Sequence, residues 1–299
     1  MFTAQHASES RRSFWFWPAC NCNHTGMKTK HRLPFRLGTT SYIWPDDILP
    51  NVVQLAPLVD DIELVLFESD EYGSNLPGQD VTAELRRLAL AHDLTYTVHL
   101  PLDLHLIGNA VQGSEDDSAR HSSLDKARRV IERTQVLDPF AYIVHLDGRA
   151  IQNGADAESL ARWQSEAARS LEQVAAWAGD AQRVCVENLE NYHAAAFAPA
   201  LDAVPVSRCV DIGHFWRQGL DPLPHLREWQ TRTRVIHIHG IGERDHKSLA
   251  EMPFGLLDPI VHHLIERMRG VVTLEVFSVD DFFSSKAALE AAVERIQHF

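Results

Sequence analysis

From Arg36 to the C-terminus, short runs of apolar and β-branched residues alternate with longer stretches whose apolar positions recur every three or four residues. The short runs lie at 36–41, 61–68, 94–100, 140–146, 183–189, 206–212, 234–240 and 271–277. They predict buried strands, because a strand covered on both faces reads as a near-continuous apolar run. The stretches between them predict helices: "DDILPNVVQLA", "DVTAELRRLALAHD", "SSLDKARRVIERTQVL", "DAESLARWQSEAARSLEQVAAWAG", "DPLPHLREWQTR", "LLDPIVHHLIERMR" and "KAALEAAVERIQ", with a brief alanine-rich helix over 192–203. Eight strands alternating with eight helical segments is the repeat of an α/β fold of one kind, a single (β/α)8 TIM barrel. A doubly wound sheet is the alternative. It would normally carry a glycine-rich turn after its first strand, and "LGTTSY" has none. No domain-sized linker interrupts the rhythm, so residues 31–299 read as one barrel domain.

Residues 1–30 lack this pattern and read as a disordered N-terminal tail. "SRRSFWFW" superficially resembles a twin-arginine export signal, but Pro18 ends its apolar stretch short of the roughly 7–15 residues such a signal needs. Met27 stands just before the patterned sequence and offers an alternative start.

Composition narrows the setting. The chain has 299 residues, 45% of them hydrophobic, enough for a large core, and no apolar run approaches the roughly 18 residues of a membrane span. The net charge of −13 argues against a protein that tracks a phosphate backbone, since such binders carry a basic face. Four cysteines do not make a disulfide framework at this length: Cys185 and Cys209 sit in apolar runs, and Cys20 and Cys22 have the wrong spacing for a zinc knuckle. A soluble protein in a reducing, cytoplasmic setting is expected. Histidine is the outlier, with 17 residues, several of them at the ends of strand-like runs.

In a barrel of this type, residues at the C-terminal strand ends converge on one mouth. Read in order, those ends supply Glu68 in "LVLFES", His99 in "YTVHLP", His145 in "YIVHLDG", Glu187 in "VCVENLE", and Asp211 with His214 in "CVDIGH". They continue with His237 and His239 in "VIHIHG", Asp245-His246 just beyond, and Glu275 in "TLEVFS". Any one of them has an ordinary explanation, a hydrogen-bonded structural histidine or a helix-capping carboxylate. Seven strands doing the same thing do not. So many acids and imidazoles gathered in one place would be costly without cations, and these are natural ligands of zinc, manganese or iron. The ligand surplus favours two or three ions, the arrangement that holds a phosphoryl group and activates water. Arg149 and Lys247 are candidates to bind phosphate charge and Glu68 a candidate substrate contact, each with a solvated-loop or supporting role as the alternative. Asp103 and His105 are candidate pocket residues, whereas Trp163 and Trp177 read as packing.

These residues resemble the xylose-isomerase-like barrel superfamily, in particular its endonuclease IV branch of metal-dependent phosphodiesterases. The resemblance covers nearly the whole barrel. It rests on His99-Leu-Pro101, His145, Glu187-Asn188, Asp211-x-x-His214 with Gly219-Leu-Asp221, His239 and Glu275. It implies that Glu187, Asp211, His239 and Glu275 hold one ion, that His99 and His145 share Glu187 around a second, and that His214 with Asp245 and His246 surrounds a third. Glu187 and Glu275 are then the candidate catalytic carboxylates. The sequence departs from the family at the last place, where Asp-x-His is expected and Asp245 and His246 are adjacent. His237 matches no ligand of that branch and is expected to support or pack. "LGTTSYIWPDDILPNV", "DDIELVLFES", "LTYTVHLPLDL" and "DHKSL" further resemble the cobamide-remodelling phosphodiesterases of this superfamily. That likeness implies hydrolysis of the nucleotide-loop phosphodiester of cobamides to cobinamide phosphate and an α-riboside, with two or three divalent ions, most naturally zinc. Three other readings stay open: a one-ion sugar isomerase or epimerase, an abasic-site endonuclease, and a non-catalytic barrel that keeps metal for stability.

Overall fold

The computed structural model describes residues 30–69, 73–107, 118–152 and 154–298. In chain order its strands are β1 (Arg36–Thr40), β2 (Asp61–Val65), the short pair β3 (Glu68–Ser69) and β4 (Gly73–Ser74), β5 (Thr95–His99), β6 (Ala141–Val144), β7 (Val184–Glu187), β8 (Ser207–Asp211), β9 (Thr233–Ile238) and β10 (Val271–Leu274). All but β3 and β4 pair in parallel and close into a barrel in the order β1-β10-β9-β8-β7-β6-β5-β2. The helices are α1 (Ile48–Leu55), α2 (Gln79–His92), α3 (Ser118–Thr134), α4 (Arg149–Gln152), α5 (Ala157–Ala178), α6 (Ala194–Ala203), α7 (Ile212–Arg217), α8 (Leu223–Glu228), α9 (Phe254–Arg267) and α10 (Val279–Gln297). The single (β/α)8 barrel expected from the sequence is therefore the fold, and every predicted strand and helix is present. No helix is long and apolar enough to cross a membrane among the described residues. The tail over 1–29, including Cys20, Cys22 and Met27, lies outside them.

Local chemistry explains the elements. In α5, Trp163, Ala167, Leu171, Val174 and Ala178 fall on one buried stripe at helical spacing. Asp156 caps the helix by accepting from the Ser159 amide at 2.8 Å, and Gly179 closes it at φ 77°. The main core lies between barrel and helices, with Trp163 fully buried in it. Trp177 packs against its edge.

Inside the barrel the layers differ in character. The lower plug is apolar: Ala141, Ile143, Cys185, Cys209, Val235 and Val271. Both cysteines are buried and free, in keeping with small core residues. Above the plug the inward positions turn polar, with Glu63 and His237 fully buried, and above them lie the strand ends.

The second strand corrects one expectation. It ends at Val65, and the apolar residues Leu66 and Phe67 carry the chain out of the barrel before Glu68. Glu68 begins the β3–β4 hairpin and its Oε1 accepts from Arg129 Nε of α3 at 3.0 Å. It is held at the periphery by that bond and does not enter the central cluster.

Candidate metal centre

Asp211 shows how the sequence builds the site. It ends β8 and caps α7, its Oδ1 accepting the His214 amide at 2.7 Å. The Asn188 side chain grips the Asp211 backbone twice, accepting its amide at 2.8 Å and donating to its carbonyl at 3.0 Å. The Glu187-Asn188 pair therefore sets one candidate ligand and locks the neighbouring strand. The glycine of Asp211-Ile-Gly-His214 also has a specific task. A Cβ on Gly213 would lie 2.1–2.5 Å from the His239 ring, so only glycine lets that imidazole lie against the first turn of α7.

Several overlapping groups of donor atoms cluster within 4.8 Å among the described residues, among them His99 with His145 and Glu187; Glu187 with Asp211, His237 and Glu275; and His214 with His239 and His246. Glu187 divides itself between the first two. Its Oε2 lies 2.9 Å from His145 Nε2 and 3.4 Å from His99 Nε2, while Oε1 lies 3.4 Å from His237 Nδ1. His99 Nδ1 is hydrogen-bonded to the Leu100 carbonyl at 2.7 Å, which leaves Nε2 directed at Glu187. His214 is fixed in the same manner, through Nδ1 and the Asn188 carbonyl at 2.8 Å.

The structure thus gathers His99, His145, Glu187, Asp211, His214, His239, His246 and Glu275 as the sequence expects, but it pairs some of them differently. His239 groups with His214 and His246; its ring centroid is 4.3 Å from that of His246 and 6.0 Å from that of His214, while its Nε2 stays 3.4 Å from Asp211 Oδ1. Asp245 stays beside His246, as expected, its Oδ2 3.7 Å from His246 Nδ1, but the same oxygen lies closer to Arg217 Nη1, 2.8 Å away, and its Oδ1 lies 3.5 Å from His239 Nδ1. The adjacency of Asp245 and His246 explains the difference. His246 takes a left-handed backbone (φ 54°), which turns its ring toward Glu275, 3.5 Å away.

The outer candidates fare variously. Lys247 pairs its backbone with Gly240 and directs its ammonium toward Glu251 at 3.8 Å. The Arg149 side chain lies outside the described residues. Asp103 is 3.6 Å from Lys126, and His105 is 3.3 Å from Asp147. Asp221 caps the loop before α8 by accepting the Leu223 amide. Three participants escaped the sequence reading: Glu63, whose Oε2 is 2.8 Å from His237 Nε2; Asn188 as the clamp on Asp211; and Arg217, which bridges Glu190 and Asp245. Glu63 carried a signal, a carboxylate amid the apolar residues of β2.

Electrostatics agree with a site built for cations. Burial alone lowers an imidazole, yet the hydrogen bond to Glu187 and the charge of Glu63 hold His99 at about 9. Burial is likewise outweighed at His214 by Asp211 and Glu187, and at His239 by Asp211 and Glu275, leaving both at about 9. Burial raises a carboxyl, but His237 and its neighbours hold Glu187 and Glu275 well below the ordinary range. The raised imidazoles mark a place where the surrounding carboxylates favour positive charge. Asp211 Oδ2, His237 Nδ1, His239 Nε2 and Glu275 Oε2 are buried with no hydrogen-bond partner. Such atoms are costly unless a ligand engages them, and this donor set fits divalent ions of the zinc, manganese or iron type.

Comparison with known proteins agrees with the architecture. A family model described as "Xylose isomerase-like TIM barrel" matches residues 59–299. A D-tagatose 3-epimerase-like protein superposes with a TM-score of 0.67 at 18% identity, covering 88% of this chain and 98% of that one. Endonuclease IV from Thermus thermophilus gives 0.63 at 17% identity, over 87% and 99%. The TTHB071 protein from the same organism, in crystals soaked with ZnCl2, gives 0.59 at 21% identity, over 88% and 99%. Likenesses at these identities show the shared fold. No curated protein matches the sequence significantly.

Proposed function

The chain belongs to the xylose isomerase-like TIM barrel family, and from that premise we propose that it is a metal-dependent phosphodiesterase. One observation carries this reading: several donor groups adjoin one another, Glu187 being shared between them, and together they offer more ligands than one ion can use. When bound, two or three divalent ions would neutralise the non-bridging phosphate oxygens, lower the pKa of water and stabilise the leaving alkoxide. The residues that would hold them are His99, His145, Glu187, Asp211, His214, His239, His246 and Glu275, with Asp245 behind His239 and His246, and His237, the remaining member of the central group, behind Glu187 and Glu275. Glu187 and Glu275 are the proposed catalytic carboxylates, beside the water that attacks phosphorus.

The proposed substrate is a cobamide. Water adds across the phosphodiester of the nucleotide loop: the phosphorus–oxygen bond to the ribose breaks, the ribose oxygen leaves with a proton, and cobinamide phosphate and an α-riboside result. The resemblance of the strand-end stretches to the cobamide-remodelling group supports this choice. The net charge of −13 favours a small-molecule substrate over a nucleic acid, and the reading places the enzyme in the cytoplasm. Lys247 and Arg149, on the loops after β9 and β6, are the proposed phosphate contacts.

The test is incubation of the purified chain, loaded in turn with zinc, manganese and iron, with adenosylcobalamin, followed by chromatography of the corrinoids. Cobinamide phosphate is the expected product. Unchanged cobamide with every metal, together with cleavage of abasic duplex DNA or 3-epimerisation of a ketose, would replace the reading with the endonuclease or the epimerase. A metal-to-protein ratio of one would favour the epimerase.

A further inference from the structure

Among the described residues, His237 is an imidazole inside the barrel that matches no ligand of the endonuclease IV branch, yet it sits at the centre of the cluster. The side chain is fully buried. Nε2 reaches across the barrel to Glu63 Oε2 at 2.8 Å, between β9 and β2, which are separated in the sheet by β10 and β1. On its other edge, Nδ1 lies 3.2 Å from Glu275 Oε2 and 3.4 Å from Glu187 Oε1. One ring thus touches both carboxylates proposed to act on water, and a third carboxylate, Glu63, pins that ring from below.

We propose that Glu63 and His237 form a positioning pair that fixes the rotation of Glu187 and Glu275. A carboxylate shared by two ions must present one oxygen to each. Glu187 already does so, with Oε2 toward His99 and His145 and Oε1 toward His237. Rotation about its terminal bond would turn the carboxylate plane so that neither oxygen faced its site, and the imidazole edge beside Oε1 opposes that. Glu63 holds the imidazole at the required height. Simple packing gives no reason for the pair, because the layer below is filled by Ile143, Val235 and Val271, and a buried ion pair generally stabilises no better than apolar residues of equal volume. Partners behind a metal ligand commonly set its affinity by 10- to 100-fold.

The pair rests on the metal centre proposed above but not on its substrate. The test uses the full chain. Glu63→Ala should weaken zinc binding at least tenfold and alter the visible spectrum of the cobalt(II)-substituted protein, and Glu63→Gln, which keeps a hydrogen-bond acceptor at the same place, should restore both to within about threefold of the wild type. The double variant Glu63→Leu with His237→Phe removes both polar partners while keeping volume; it should stay folded, with the same zinc loss. With bis(p-nitrophenyl) phosphate as probe, kcat should fall at least tenfold in Glu63→Ala with KM nearly unchanged. Zinc affinity within twofold of wild type and an unchanged cobalt spectrum, in either Glu63→Ala or the double variant, would reduce the pair to packing and overturn the proposal. Loss of one full zinc equivalent in the double variant, with the remaining ions bound at wild-type affinity, would make His237 a ligand and overturn it equally. The metal readouts need no substrate, so absence of cobamide turnover alone sinks the substrate reading and leaves this pair standing.

Discussion

The two ends of the barrel are both rich in charged residues and use them in opposite ways. At the N-terminal end the arginines close backbone accounts. Arg232 donates to the carbonyls of Leu201, Val204 and Val206; Arg234 donates to Phe140 and stacks on its ring; Arg36 donates to Asp60 and Asp93. At the mouth, four buried polar atoms on Asp211, His237, His239 and Glu275 find no hydrogen bond. A satisfied polar group contributes to stability, whereas an orphaned one lowers it unless something arrives. The difference teaches that charge alone does not mark a functional end; a cluster of unsatisfied charges from several strands does, whereas Asp61 Oδ1 at the start of β2 is unpaired on its own.

The sharpest way to break that contrast is one substitution at each end. Glu187→Gln should reduce turnover by on the order of 10³-fold, since several kcal/mol of charge stabilisation depend on the shared carboxylate, and should lower the zinc content without lowering the Tm of the metal-free protein. Arg232→Ala should do the reverse, leaving zinc content and turnover intact while costing about 1–3 kcal/mol in a denaturant titration, as buried carbonyls lose their donor. A loss of zinc in Arg232→Ala, or full activity in Glu187→Gln, would erase the distinction. Gly213→Ala comes next. Its new methyl would meet the His239 ring near 2 Å, so the His214–His239–His246 group should open, with zinc affinity there falling about 10- to 100-fold while the overall fold persists.

Acidity gives a smaller and more graded test. His99, His214 and His239 stand at about 9 in the metal-free fold, against an ordinary value of 6.5. Their contribution to stability is present in full below pH 6.5 and is lost as pH rises through 9. The metal-free protein should therefore lose Tm from pH 6.5 to 9. Zinc must displace those same protons, so its affinity should rise across that window by about tenfold per pH unit for each proton released, measured by competition with a chromophoric chelator. Opposite slopes for the two forms are the expected signature; parallel slopes would show that the imidazoles take no part. The mildest effect is at Asp61, outside the donor groups. Burial pushes its carboxyl up to about 7 from 3.8, despite the hydroxyls of Thr95 and Thr97. Its stabilisation is complete below pH 3.8 and lost as pH rises through 7. Asp61→Asn should thus gain stability at pH 8 that dwindles to nothing near pH 4, by thermal melts across pH.

Much of this was legible in the sequence because barrel strands are buried on both faces, so each announces itself as an apolar run whose first polar residue marks the mouth. His99, His145, Glu187, Asp211 and Glu275 were found in that way. The same rule misplaced Glu68, since the apolar run of the second strand continues through Leu66 and Phe67 after pairing has stopped at Val65. Pattern reports burial, and burial outlasts the sheet. Glu63 was missed for the converse reason: a carboxylate pointing inward below the mouth resembles an outward polar residue until closure of the barrel sets it opposite His237. The grouping of His239 and His246 depended on the left-handed turn at His246 and on Arg217 engaging Asp245, and both follow from loop geometry that periodicity does not encode.

The division of the two Glu187 oxygens has a consequence for how the protein would be loaded. A carboxylate that serves two neighbouring sites ties their occupancies together: the first cation to arrive holds the shared group in the orientation the second requires, yet draws off part of its charge. Titration of the metal-free chain with zinc should accordingly depart from a sum of independent hyperbolas. Glu187→Gln, by cutting the shared term, should return whatever binding survives to simple additivity.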